Sequence, residues 1–266
     1  MCKKLIGFCL VMIALGLGYK IFHQKKDFDS HKKVLKVGVT AGPHAIIMEK
    51  VKEEAKQQGL SIEIIEFNDF ILPNEALNHG DIDINSYQHL PFMEEQIATR
   101  GYKLKSLGKT ILMPMGIYSK SIKTLDAIPY GAIISIPNDP TNEERALLFL
   151  ESLGLIKLNK TSIPTIQDIV ENPKNIQIKE LEAPALVMTL SDVTASVINT
   201  DWIILGGLSP KDALSMESSD SSYANIIVIR EEENNKDIKE FLKIYQSDAM
   251  KTFIHETFKG AVIPIW

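Results

Sequence analysis

Past residue 9 the chain contains no cysteine at all; Cys2 and Cys9 are the only two in 266 residues. That absence excludes a disulfide framework, a Cys-based zinc site, a thiol protease and a dithiol redox enzyme from everything downstream. A basic surplus is lacking too. Lys and Arg number 29 against 34 Asp and Glu, for a formal net charge of -5, which argues against nucleic acid as a partner because that needs a basic face. Catalytic signatures are missing: there is no G-x-S-x-G, no P-loop, no H-E-x-x-H, and no G-x-G-x-x-G behind a strand. Gly42-Pro43-His44 follows the first strand but lacks the glycine spacing that cradles a pyrophosphate. The sequence thus points to no enzyme and no cofactor.

What is present begins with an export pattern. Lys3 and Lys4 precede an apolar stretch of 15 residues, Leu5 to Tyr19, the length of a signal-peptide core and short of the roughly 20 that span a membrane. Extension through Ile21 and Phe22 approaches a span only by including Lys20, which can snorkel. Residues 1–22 are therefore read as a signal peptide or N-terminal membrane anchor, and the charged, aperiodic 23–33 as a tether. The protein is expected to be exported to the periplasmic face of the inner membrane, anchored there or released by cleavage.

From Val34 strands alternate with helices. VLKVGVT (34–40), SIEIIEF (61–67) and 81–85 read as strands, as do 103–111, 131–137, 176–180, 193–198 and 225–230. Helices are expected at 44–58, 73–80, 90–99, 140–153, 235–246 and 247–258. Such alternation predicts α/β layers with largely parallel sheets. The series restarts after Met115, which suggests two lobes with a ligand cleft between them. The lobes are assigned as 34–115 with 227–266, and 116–226. No repeat at fixed spacing is visible.

Chemistry-bearing residues are scattered. His79, Asp81, Asp83 and His89 lie close in sequence, but no spacing among them is diagnostic of a metal, and a solvated turn with polar strand ends is the better reading. Phe70, Tyr87, His89, Asn142, Arg145, Asn199 and Asn225 stand at strand ends and helix starts, where asparagines usually make turns and aromatics usually fill cores. The run NDPTNEERALLFL starts a helix, capped either by Asp139 with Pro140 following or by Thr141 with Glu144. Arg145 then sits one turn inside, where the helix dipole disfavours a cation. A bound anion or a carboxylate of the protein itself would account for it.

Taken in order, IPNDPTNEERALLFLESLGL, VENPKN, YQHLPFMEEQ, SVINT, YANIIVIR and the terminal FKGAVIPIW resemble the methionine-binding NlpA/MetQ family of ABC-transporter solute-binding lipoproteins. The resemblance covers essentially all of 34–266. It implies a two-lobed periplasmic binding protein, type II-like, that binds methionine or a related amino acid and delivers it to an ABC permease with its ATPase subunit. By the same resemblance Phe70 and Tyr87 wall the ligand side chain and His89 borders that pocket. Arg145 takes the α-carboxylate, and Asn142, Asn199 and Asn225 supply further hydrogen bonds.

Several positions depart from the family pattern. The family commonly has Tyr at position 70 and Phe at 87, a small residue in place of Glu144, and Asn-Tyr in place of Asp201-Trp202. These leave the ligand open among L- or D-methionine, a methionine peptide and another amphiphilic amino acid. Glu144 either turns away as a capping acid or pairs with Arg145. A lipobox needs a small residue before its cysteine, whereas Phe8 precedes Cys9, so cleavage, lipidation at Cys9 and a retained anchor all stay open. The alternative function is an envelope-anchored sensor or accessory protein of the same fold.

Overall fold

The computed structural model describes residues 34–219 and 222–266; the leader, the tether and Cys9 lie outside the described residues. The strands are β1 (Leu35–Thr40), β2 (Ile62–Phe67), β3 (Ile84–His89), β4 (Leu104–Lys109), β5 (Ile111–Leu112), β6 (Gly116–Tyr118), β7 (Ile133–Pro137), β8 (Lys157–Leu158), β9 (Ile169–Glu171), β10 (Gln177–Leu181), β11 (Ala195–Ile198), β12 (Ser215–Met216), β13 (Asn225–Arg230) and β14 (Ile263–Pro264). The helices are α1 (Pro43–Gln57), α2 (Leu72–His79), α3 (Leu90–Arg100), α4 (Pro140–Ser152), α5 (Ala183–Met188), α6 (Thr200–Leu205), α7 (Lys236–Tyr245) and α8 (Asp248–Phe258).

Two five-stranded sheets carry the fold, in the orders β2-β1-β3-β13-β4 and β10-β7-β11-β6-β12. In the first, β1 is parallel to β2 and β3, while β13 is antiparallel to both its neighbours. In the second, β7 is parallel to β10 and β11, and β6 is antiparallel to both of its own. The same plan therefore occurs twice without a repeat at the level of sequence. The expectation of largely parallel sheets needs one amendment, the reversed strand in each. Its cause is the chain path. β6 is the first strand to enter the second sheet and β13 the first to re-enter the other. Both start at the edge where the parallel strands end, so they run the opposite way.

Apolar side chains bury both faces of both sheets, as buried parallel strands require. Val37, Ile47, Val51, Ile227, Phe241 and Ile254 fill one side of the first sheet, under α1, α7 and α8. Leu77, Ile82, Met93 and Val228 fill its other side, under α2 and α3. In the second sheet Ile134, Ile136, Leu147 and Val197 pack beneath α4, and Leu186, Ile198, Trp202 and Ile203 pack with α5 and α6.

The third strand is a correction. Residues 81–85 were expected; the strand runs Ile84–His89, and all six of its residues are buried. Alternation fails there because buried amides satisfy one another. Asn74 Nδ2 donates to Gln88 Oε1 at 2.8 Å, and Asn85 Nδ2 donates to Asn74 Oδ1 at 2.9 Å. Gln88 Nε2 closes the ring onto Asn85 Oδ1 at 3.0 Å. Asp83, expected as a solvated strand end, is buried and accepts from the Lys36 backbone N–H at 3.0 Å. Among the described residues no group of His, Cys, Asp and Glu could hold a metal ion, and no helix is long and apolar enough to cross a membrane.

Candidate functional site

Ligand crevices in α/β folds lie beyond the carboxyl ends of the parallel strands, and here both sheets aim those ends at one cavity. All seven of the residues singled out above line it: Phe70, Tyr87, His89, Asn142, Arg145, Asn199 and Asn225. Their scattering in sequence follows from the topology. Phe70 follows β2, Tyr87 and His89 end β3, and Asn225 opens the reversed strand β13. From the second sheet, Asn142 and Arg145 lie in the first turns of α4 after β7, and Asn199 follows β11.

Asp139, not Thr141, caps α4: its side chain accepts from the Asn142 N–H at 3.0 Å, with Pro140 in the first turn. This cap also grips the Asn142 side chain, whose Nδ2 reaches both Asp139 oxygens at 2.9 and 3.0 Å. Asn142 Oδ1 then accepts from Asn199 Nδ2 at 2.9 Å. The Asn142 amide is thereby held by protein partners on both ends, and it orients Asn199.

The question posed by Arg145 is answered within the chain. It is not a surface ion pair; it is buried, and its partner is Glu217, not Glu144. Arg145 Nε lies 3.1 Å from each Glu217 oxygen, and Nη2 lies 2.5 Å from Oε2. Nη2 also donates to the Met113 carbonyl at 3.0 Å, and the guanidinium carbon stands 4.6 Å from the centre of the Tyr223 ring. One face of the fork is thus held by Glu217, and Nη1 has no hydrogen bond among the described residues. A planar, permanently charged donor set of this kind suits a carboxylate.

The opposite wall is aromatic. Phe70 and Tyr87 stack with ring centres 6.1 Å apart, and Phe92 meets both edge-on at 6.3 and 6.2 Å. Trp202 closes on Phe70 from the other sheet at 5.2 Å. The Tyr87 hydroxyl donates to the Phe70 carbonyl at 2.8 Å, so it pins the loop that carries the neighbouring wall. Such rings make favourable contacts with a thioether.

His89, which lines the cavity, and His44, which contacts Asn225 behind it, are both neutral. His89 Nδ1 accepts from the Phe92 N–H at 3.1 Å and caps α3, which puts its proton on Nε2, facing Asn142 Oδ1 at 3.4 Å. Burial, with the Arg145 charge assisting, lowers its pKa to about 3. His44, on α1, is likewise lowered to about 3 by burial.

Sequence reasoning did not select Gln88, Phe92, Met113, Thr200 or Asp201, which also line the cavity, nor Glu217 and Tyr223 around Arg145. Thr200 is fixed by donation from its hydroxyl to the Pro114 carbonyl at 2.5 Å. Only Asp201 carried a signal beforehand, as a departure from the family pattern. A carboxylate 72 residues from its arginine partner, as Glu217 is, leaves no local pattern to read.

A family model described as NlpA lipoprotein matches residues 35–266. The chain belongs to the NlpA lipoprotein family. Among relatives, the D-methionine-binding lipoprotein MetQ of Salmonella typhi is 46% identical over 241 residues, covering 87% of this chain and 88% of the relative. Its counterpart in Escherichia coli strain K12 is 44% identical over the same length and the same shares. Among solved structures, a nutrient-binding protein from Burkholderia cenocepacia bound to methionine superposes with a TM-score of 0.86 at 45% identity, covering 88% of this chain and all of that one. The NlpA-family fold is that of a two-lobed α/β binding protein, and the doubled sheet plan seen here has that form.

Proposed function

We propose that this chain is the methionine-binding subunit of an ABC importer, not an enzyme, and that Phe70, Tyr87, His89, Asn142, Arg145, Asn199 and Asn225 form its ligand site. The observation that carries this reading is one cavity that gathers a guanidinium, three asparagines and an aromatic box. A zwitterionic head group with an apolar, sulfur-bearing tail matches both halves. In this reading Arg145 meets the ligand carboxylate through Nη1 beside Glu217, and Asn199, oriented by Asn142, adds a hydrogen bond. Phe70, Tyr87 and Phe92 surround the thioether, with His89 at the border of that pocket. The relatives' names and the methionine-bound neighbour support the same ligand class.

The two lobes are taken as 34–115 with 227–266, and 116–226, a division that strand membership of the two sheets supports except at 225–226, which open β13 in the first sheet. Delivery to a permease with its ATPase subunit, at the periplasmic face of the inner membrane, completes the reading. The test is calorimetry on protein stripped of ligand by unfolding and refolded. Saturable, one-to-one heat with L- or D-methionine is expected, and its loss in Arg145→Ala. Absence of a response to both enantiomers overturns the proposal.

A further inference from the structure

Two buried side-chain oxygens of cavity-lining residues have no hydrogen-bond partner among the described residues, Asn199 Oδ1 and Asp201 Oδ1, and of these only Asp201 is ionisable. The Asp201 side chain is 7% exposed, it lines the cavity, and its Oδ1 has no hydrogen-bond donor among the described residues. The nearest candidate is His44 Nε2, at 3.5 Å. That nitrogen, however, is an acceptor. Asn225 Nδ2 donates to the Tyr87 carbonyl at 2.9 Å, which fixes the orientation of its amide, and the same Nδ2 faces His44 Nε2 at 3.0 Å. Neutral imidazole carries one proton, so it sits on Nδ1 and cannot serve Asp201. The approach is nonetheless close and built in. Gly42, at φ 91°, precedes α1, and a Cβ there would lie 3.4 Å from the Asp201 carbonyl oxygen. The backbone N–H of Asp201 serves the carboxylate, but Oδ1 goes without a donor, and a buried carboxylate oxygen left unpaired is costly and rarely kept unless something else supplies the donor.

We propose that Asp201 is the acceptor for the ligand's α-ammonium group, so that this site selects ligands bearing a free, charged amine; the inference rests on the amino-acid-binding reading above. Arg145 is already neutralised by Glu217. The cavity therefore lacks a positive charge, not a negative one, and the ammonium supplies it together with the donor that Oδ1 lacks. An asparagine at 201 offers the same shape with a neutral oxygen.

The charged neighbours of Asp201 do not alter this. From α1 only His44 faces it, and that ring is neutral above a pKa of about 3. From α4, the Arg145 charge acts on it through space. The helix α5 (APALVM) carries no titratable side chain, and Lys211 and Asp212, on the short turn after α6, are exposed. Burial outweighs the arginine and raises the Asp201 pKa to about 7, so an incoming ammonium must drive off a proton below neutrality.

The experiment compares methionine with 4-(methylsulfanyl)butanoate, which lacks only the amine, on the refolded full chain and on Asp201→Asn. Deleting the amine is expected to weaken binding to the wild type at least about tenfold more than to Asp201→Asn, the coupling typical of a close buried charge pair. Wild-type affinity for methionine is expected to fall roughly 20-fold between about pH 7.5 and about pH 5.5. Titrations near pH 6 in two buffers of different ionisation heat are expected to show release of about one proton per methionine. Both signatures vanish in Asp201→Asn, whose melting curve checks the fold. Equal sensitivity of both proteins to the missing amine, or no proton release by the wild type, overturns the inference and leaves methionine binding standing. No methionine binding by the wild type overturns the proposed function and the inference with it.

Discussion

Arg145 and Glu217 allow the ligand role of the arginine to be separated from its structural role. Arg145→Met strips the guanidinium and leaves Glu217 facing a buried site with no cation. Removing one partner of a buried pair costs about 3–5 kcal/mol. Glu217 retains 14% of its side-chain exposure against 4% for Arg145, so it can turn toward water, and the lower end, about 3 kcal/mol, is expected. For a domain of this size that lowers the melting temperature by about 6–12 °C. Replacing both partners, Arg145→Met with Glu217→Leu, removes the orphaned charge and is expected to return stability to within about 1 kcal/mol of wild type, because well-packed apolar replacements of buried pairs are commonly neutral. Methionine binding stays lost in both variants. The assay is chemical denaturation and calorimetry on the wild type, the single variant and the double variant. A single variant as stable as wild type refutes the buried-pair reading. A double variant that binds methionine refutes Arg145 as the carboxylate contact.

The amide ring offers a second test: Asn85→Ala removes two hydrogen bonds from Asn74 and Gln88 and opens a void under β3, for an expected loss of about 2–4 kcal/mol in urea denaturation. Tyr87→Phe deletes the bond to the Phe70 carbonyl at 2.8 Å and is expected to cost about 1 kcal/mol of stability and a few-fold in methionine affinity by calorimetry. Acid sensitivity follows from His44 and His89, whose folded pKa values, about 3, lie below the ordinary value of 6.5 because both rings are buried. The stability they confer is complete above the unfolded value and is lost as pH falls toward the folded one, by about 2–3 kcal/mol for each histidine by about pH 4.5. Asp201 acts in the opposite sense between 3.8 and about 7, since its raised pKa favours the folded state at low pH. Urea midpoints across this range are therefore expected to fall more steeply in Asp201→Asn than in wild type, and to flatten in His89→Gln.

Period and punctuation determined a large part of this protein by themselves. β1, β2, β7 and β13 are short β-branched runs bounded by turn residues, and α1, α4, α7 and α8 carry apolar faces with Pro, Asp, Asn or Ser at their starts. These are local signals, and they survived folding nearly unchanged. The seven residues proposed as the ligand site, all of which line the cavity, were singled out only through resemblance, because their own chemistry is that of ordinary turns and core aromatics. β3 was misplaced because its amides find partners in α2 and along the strand, an arrangement no window of sequence displays. The cap choice at Asp139 needed geometry, since two overlapping signals met there. The charge state of the cavity was decided by tertiary structure alone. Glu217 reaches Arg145 across 72 residues, and His44 cannot donate to Asp201 Oδ1 because Asn225, on the first sheet, sets the tautomer of its ring. Electrostatics in a buried site depends on distance in space and on the absence of water, and neither is written along the chain.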